Sequence, residues 1–279
     1  MPRLGVLGWP VAHSRSPAMQ EAALKELGLE EWSYQRLPVP PELFVETVRA
    51  LPRNGFVGAN VTIPHKEAAL ALATVREEVV DAIGAANTLT FVGDDIVAAN
   101  TDAAALLALA PEDPGRALVL GAGGSARAAV WALRRRGAET LVWGRTHERA
   151  VALAAELGAT AVGPGALDEA GHAGAGRAIG RGDDFDVIVN CTPVGLMAGD
   201  DPFSSLPLGR ADLERARMVI DLAYAAEETT LVAAARAAGV PAVVDGLEIL
   251  VAQGALSLER WTGRRAPAEV MRRAAAGAR

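Results

Sequence analysis

The stretch Arg116–Thr146, RALVLGAGGSARAAVWALRRRGAETLVWGRT, decides how this chain folds. Residues 117–120 form a short, continuous apolar run, the pattern of a strand buried on both faces. Glycines interrupt it and a helical pattern follows at once. Arg134, Arg135 and Arg136 ahead of Gly137 read as that helix's end: cations suit the negative pole and glycine closes the turn. Residues 141–143 supply a second strand. The turn holds Gly121, Ala122, Gly123, Gly124, Ser125 and Ala126, a G-x-G-x-x-A pattern. Glycine there permits a tight turn and close approach of backbone to a pyrophosphate at the helix N-terminus. A plain glycine-rich turn would share the spacing, so the flanking strand and helix carry the argument. A similar spacing at Gly174–Gly180 has no strand before it and is assigned no binding role.

A unit specific for NAD usually has an acid at the end of its second strand to grip the ribose 2′-hydroxyl. Here Gly144, Arg145, Thr146 and Arg149 stand instead. An acid would repel a 2′-phosphate, whereas an arginine fork suits one, so the expected cofactor is NADP. Glu148 is expected to face outward on the following helix, and Arg149 is alternatively a solvated residue of that helix.

Working outward, short apolar runs alternate with helical patterns, the signature of an α/β protein. RLGVLG, WSYQRLPV and GFVGANVTI read as strands, and NTLTFVGDDIVAAN as a hairpin turning at Gly93-Asp94. Ser16-Pro17 reads as a helix start with Ser as N-cap. Further helices are expected from Pro64 and from Asp102 through Leu109. PEDPG, 111–115, reads as a linker. Residues 163–184 are Gly- and Ala-rich and suggest a weak helix within a long loop. FDVIVN and ARMVIDLAY are further buried strands, TTLVAAARAAGV is a helix ending at Gly239, and two helices close the chain. No fixed-period repeat is present.

The chain has 279 residues, 51% of them hydrophobic and 22% charged, which fits a globular protein of one large or two ordinary domains. A net charge of −7 argues against a nucleic-acid partner, and RRRG alone does not offset it. One cysteine, Cys191, excludes an internal disulfide and suggests a cytoplasmic protein. No apolar run reaches membrane-spanning length, and no metal-ligand cluster stands out. Of 27 Lys plus Arg only Lys25 and Lys66 are lysine. Amides are scarce too: Asn54, Asn60, Asn87, Asn100, Asn190, Gln20, Gln35 and Gln253. A Lys, Asn or Gln that survives such a bias is favoured as a residue its chemistry needs.

Lys66 has a chemical reason to escape the bias. A nicotinamide cofactor implies hydride transfer. Reducing a ketone then needs a proton for the developing alkoxide, which Arg cannot readily give. Lys can act as general acid and base. Asp102, at a helix start, could hold the ammonium; taken alone it is equally a helix-start residue, and Lys66 a chance surface lysine.

The motifs GWPVAHSRSP, GANVTIPHK, GAANTL, NTD, GAGGSARA, GRTHER, NCTPVGL, DLAY and LVAQGALSLERWTG together resemble the shikimate dehydrogenase family almost end to end. The resemblance implies an N-terminal α/β substrate domain completed by C-terminal helices (1–103 plus 238–279), a Rossmann-type NADP domain (104–237), and a cleft between them. It implies NADPH-dependent, reversible reduction of 3-dehydroshikimate to shikimate, in the route to aromatic amino acids. Ser14 and Ser16 would bind the substrate carboxylate. Thr62, Asn87 and Gln253 would bind ring hydroxyls with Lys66 and Asp102, and Lys66 would be the acid/base. Tyr224 would lie near substrate and nicotinamide, with Leu222 and Gly246 on the cofactor side. Without the resemblance Ser16 is a helix cap, and Tyr224 and Gln253 are packing or surface residues. Departures are Gly144 where Asn is common, AAEE where a proline often follows Tyr224, and Leu258 where an aromatic is common. Rival readings are an NAD-preferring quinate/shikimate dehydrogenase and a non-catalytic sensor of the same fold. A homodimer is left open.

Overall fold

The computed structural model describes residues 1–163, 184–197, 200–225 and 228–278. The weak helix expected in the Gly/Ala-rich segment, and Gly174–Gly180, fall outside these residues. So do positions 226 and 227 of the AAEE run. The chain divides into two compact units, Met1–Ala105 with Leu250–Arg279, and Leu106–Ile249.

The first unit alternates strands and helices: β1 (Arg3–Gly8), α1 (Ser16–Glu26), β2 (Ser33–Pro38), α2 (Phe44–Ala50), β3 (Phe56–Val61), α3 (Lys66–Leu72), β4 (Val75–Arg76), α4 (Glu78–Ile83), β5 (Thr88–Val92), β6 (Asp95–Ala99) and the start of α5 (Thr101–Leu109). The sheet order is β2-β1-β3-β5-β6-β4. β1 runs parallel to β2 and β3, and the hairpin β5–β6 reverses direction at β5. Leu7 pairs with Val61, Asn60 opposes Thr88, and Thr88 opposes Ala99. The carboxyl ends of β1, β3 and β6 therefore share one sheet edge with the amino end of β5. In open α/β sheets that edge is where ligands bind. Leu7, Phe44, Val48, Phe56, Val61, Leu89 and Ala98 fill one side of this sheet.

Two helix starts differ from the sequence expectation. Ser16 is the first residue of α1, not its cap; Arg15 occupies that position without a side-chain bond, and Ser14 Oγ accepts the Ser16 N–H at 3.3 Å. α3 begins at Lys66, not Pro64, because a turn intervenes in which His65 N–H donates to Thr62 C=O. The short helices α2 and α4 are 7 and 6 residues long, below the length at which a helical period separates from other apolar runs.

The second unit holds β7 (Arg116–Leu120), α6 (Gly124–Arg135), β8 (Glu139–Trp143), α7 (His147–Leu157), β9 (Thr160–Val162), β10 (Val187–Asn190), α8 (Pro202–Ser205), α9 (Arg210–Arg215), β11 (Met218–Asp221), α10 (Thr230–Ala237) and β12 (Ala242–Val244). All its sheet pairings are parallel, in the order β12-β11-β10-β7-β8-β9. Counted from β7 this is 3-2-1-4-5-6, the doubly wound order of dinucleotide-binding folds. Near-continuous Val, Ile and Leu in the central strands follows from burial on both faces. The expected domain limit at 237 leaves β12 with the first domain, whereas its pairing with β11 puts it in the second sheet.

The chain closes with α11 (Gly246–Thr262) and α12 (Ala268–Gly277). In the first unit α12 packs on α1. A Cβ at Gly254 would lie 2.3 Å from Met19 Cε, so glycine lets α11 approach α1 closely.

Candidate active site

The carboxyl edge of the first sheet gathers the candidate residues. Trp9 N–H donates to Ile63 C=O, joining the loop after β1 to the loop after β3. The first loop carries Ser14 and leads to Ser16 at the start of α1, both about 5% exposed. The second carries Thr62 and leads to Lys66 at the first turn of α3. Asn87 precedes β5, and its C=O accepts the Val61 N–H. Asp102 lies in the first turn of α5, where the helix pole favours an anion. Asn100 fixes that turn: its Oδ1 accepts the Ala103 N–H at 3.0 Å and its Nδ2 donates to Ala85 C=O at 2.8 Å.

Lys66 Nζ donates to Asp102 Oδ2 at 2.6 Å, with side chains only 10% and 9% exposed. Lys66 opens a helix, where the dipole opposes a cation, so the carboxylate is its compensation. The pair spans 36 residues of sequence and is buried, as a held ammonium requires. Beside it, His65 Nε2–H donates to Val39 C=O at 2.7 Å and the ring stacks on Phe44. Burial holds the His65 pKa below its usual value, which favours the neutral ring.

Around this pair runs a polar network of which the motifs had singled out only Asn87 and Gln253. Tyr34 Oη donates to Asn60 Oδ1 at 2.8 Å, and Asn60 Nδ2 donates to Ser257 Oγ at 2.8 Å. The hydroxyls of Thr88, Thr101 and Ser257 lie 3.0–3.1 Å from one another. Asn87 Oδ1 accepts from Thr101 N at 2.7 Å and from the Thr88 and Thr101 hydroxyls at 3.1 Å. Its oxygen thus saturated, Asn87 keeps its amide nitrogen for other partners; that nitrogen makes a long 3.4 Å bond to Gln253 Oε1. The amide scarcity was the signal for it: Asn60 and Asn87 are buried here, as Asn100 is in the turn before α5 and Asn190 is in the second unit. Asn54, on a surface turn, is the exception.

In the second unit the glycine turn has the expected form. Gly121 lies at φ +119, and a Cβ there would also meet Cys191 C=O at 3.2 Å. β7 and β10 are neighbours at which the strand order reverses, so the turn and the Cys191 loop meet at the switch point. A Cβ at Gly123 would meet nothing within 4 Å, which leaves the mouth of α6 open to a bulky anion. Gly144 is buried, and a Cβ there would sit 2.9 Å from Ala122 Cβ. Arg145, Thr146, Glu148 and Arg149 are exposed. Leu222 and Tyr224 follow β11. A Cβ at Gly246 would fall 2.2 Å from Ala223 C=O, so α11 starts hard against that segment.

The chain matches the Shikimate dehydrogenase substrate binding domain over residues 6–89 and the Shikimate 5'-dehydrogenase C-terminal domain over residues 246–276. It is 46% identical to the shikimate dehydrogenase (NADP(+)) of Anaeromyxobacter sp. (strain Fw109-5), over 96% of this chain and 93% of that one. The chain belongs to the shikimate dehydrogenase family. Another shikimate dehydrogenase (NADP(+)), from Methanopyrus kandleri, is 42% identical over 97% of this chain and 93% of its own. The shikimate 5-dehydrogenase of Thermus thermophilus, solved in complex with NADP(H) and shikimate, superposes with TM-score 0.82 at 39% identity over all of both chains.

Two of the departures from the family motifs lie in tightly packed surroundings. Gly144 accommodates Ala122, and Leu258 is fully buried in the first unit. The family motifs NCTPVGL and DLAY meet through Asp221, which is fully buried. It accepts from Asn190 Nδ2 at 2.9 Å, Ala223 N at 3.1 Å and Thr229 Oγ1 at 2.6 Å. Burial outweighs these bonds and pushes its pKa up to about 6. Among the described residues no helix is long and apolar enough to cross a membrane, and no cluster of His, Cys, Asp or Glu could hold a metal.

Proposed function

We propose that this chain catalyses the reversible NADPH-dependent reduction of 3-dehydroshikimate to shikimate, on the route to chorismate and the aromatic amino acids. The buried Lys66–Asp102 pair carries the reading. Lys66 Nζ gives a proton to the ketone oxygen as it becomes an alkoxide, and takes it back in the reverse direction. Asp102 holds the ammonium and, with Lys66, binds substrate hydroxyl. Ser14 and Ser16 bind the carboxylate, where hydroxyls and the amino end of α1 favour an anion. Thr62, Asn87 and Gln253 bind ring hydroxyls, Asn87 through its amide nitrogen, and Tyr224 is a further candidate substrate-binding residue.

The second unit fits a dinucleotide: positive φ at Gly121, open space at Gly123 and two exposed arginines beyond β8 suit a pyrophosphate and a 2′-phosphate. Bound NADPH supplies the hydride. Gly121, Ala122, Gly123, Gly124, Ser125 and Ala126 cradle its phosphates; Gly144, Arg145, Thr146 and Arg149 take the 2′-phosphate end; Leu222 and Gly246 pack at the nicotinamide end. On this reading the first unit is the substrate and catalytic domain and the second the NADP domain. The lone Cys191 fits a reducing cytoplasm, and sedimentation tests a homodimer.

The experiment is a rate measurement from reduced-nicotinamide absorbance, with shikimate or quinate against NADP or NAD. Fast turnover with shikimate and NADP is expected. Preference for NAD and quinate, or shikimate binding without turnover, overturns the reading.

A further inference from the structure

Arg36 lies on β2, an edge strand, and is exposed. It sits two residues from Tyr34, so both side chains leave the same face of the sheet. Tyr34 enters the polar network through Asn60. Arg36 reaches instead to the loop after β1. Its Nε donates to Ser14 C=O at 3.1 Å and its second guanidinium nitrogen donates to the same oxygen at 2.7 Å. Both bonds are charge-assisted, and the planar fork fixes the direction from which the carbonyl is approached.

The orientation carries one bond further along the chain. The Ser14–Arg15 peptide is trans, so its N–H points opposite to its C=O. With the carbonyl turned to Arg36, the Arg15 N–H is turned away from the guanidinium, at the amino end of α1. Ser14 Oγ in turn accepts the Ser16 N–H at 3.3 Å. The backbone carrying both serines is thus set from outside the loop by one side chain. The same side chain holds a permanent positive charge at that loop.

We propose that Arg36 is a positioning and specificity-determining residue for the substrate's carboxylate, acting through the Ser14 carbonyl and through its charge. This rests on the reading of Ser14 and Ser16 as the carboxylate site. No proton moves and no bond forms; the effect is on binding a monoanion over its neutral counterpart. Because Arg36 is exposed, replacing it leaves the fold nearly as stable as before.

The test compares Arg36→Gln, Arg36→Lys and Ser14→Ala with the parent, using shikimate and its neutral methyl ester. Arg36→Gln is expected to raise KM for shikimate about tenfold, the change one charge-assisted contact carries. Its kcat, its KM for NADP and its thermal midpoint should stay near the parent's. KM for the ester should move much less, and kcat/KM for shikimate should lose part of its salt dependence. Arg36→Lys, keeping charge without the fork, should recover part of the loss. An unchanged KM for shikimate in Arg36→Gln, with Ser14→Ala impaired, overturns the role of Arg36 alone. If Ser14→Ala is also unimpaired, the carboxylate reading itself fails. Equal losses toward acid, ester and NADP would show a merely structural part and also overturn the proposal.

Discussion

Replacing Lys66 separates what the buried pair does for the fold from what it does for the reaction. Lys66→Ala takes an ammonium from 2.6 Å of Asp102 Oδ2 and strands a carboxylate whose side chain is 9% exposed. Breaking one side of a buried pair costs about 3–5 kcal/mol of stability. Losing a general acid costs about 10²–10⁴ in turnover, which at about 1.4 kcal/mol per decade is about 3–5 kcal/mol of barrier. The two costs are similar in size, so Lys66→Ala alone cannot apportion them. Lys66→Met combined with Asp102→Asn removes the stranded charge while roughly keeping volume, and should recover most of the stability. Its turnover should stay at the level of Lys66→Ala. Lys66→Arg keeps a cation for Asp102, so its unfolding midpoint should lie near the parent's. Its turnover should still fall by orders of magnitude, because a guanidinium does not release its proton. KM for shikimate should change less than kcat in all three, the pattern of an interaction made in the transition state. Urea unfolding and initial rates of NADP reduction read the two effects separately. Near-parent turnover in Lys66→Arg, or in the double variant, refutes proton transfer by this lysine.

Three further outcomes follow from other positions. Burial raises the Asp221 pKa from 3.8 to about 6, so the fold favours the protonated acid: that contribution is complete below about pH 3.8 and is lost as pH rises through about 6. The stability of the parent minus that of Asp221→Asn should therefore fall by about 2 kcal/mol between pH 4 and pH 7 in urea titrations; a pH-independent difference would contradict it. Gly246→Ala sets a methyl 2.2 Å from the backbone oxygen of Ala223, an atom with little freedom to give way, and should cost about 1–3 kcal/mol of unfolding free energy; an unchanged midpoint would show that this turn yields freely. Arg145→Ala should raise KM for NADP about tenfold or more with little change in kcat or in the rate with NAD, as removal of a phosphate contact does; equal losses with both cofactors would move the 2′-phosphate elsewhere.

Local rules were enough wherever one segment carries its own physics. The glycine turn after β7, the strand RLGVLG, the hairpin at Gly93-Asp94 and the glycine after Arg136 were legible because periodicity, φ preference and helix polarity act within a few residues. The bias against lysine and amides pointed to Lys66, Asn60, Asn87, Asn100 and Asn190 without saying what each would touch. Arg36 carried no sequence signal at all, since one arginine among many on an edge strand looks like solvated charge. Asp221 was visible only as part of a motif.

What the chain could not state by itself is register. Lys66 reaches Asp102, Asn60 reaches Ser257, and Asp221 ties Asn190 to Thr229 because strands pair with particular neighbours at particular offsets. The order 3-2-1-4-5-6 of the second sheet, and the place of β12 in it, were likewise settled by pairing. Sequence alone set which segments become strands, helices and glycine turns, because those choices depend on nearby residues. Tertiary structure alone decided which buried polar groups meet, because each must find its hydrogen-bond partner from a distant part of the chain once water is excluded.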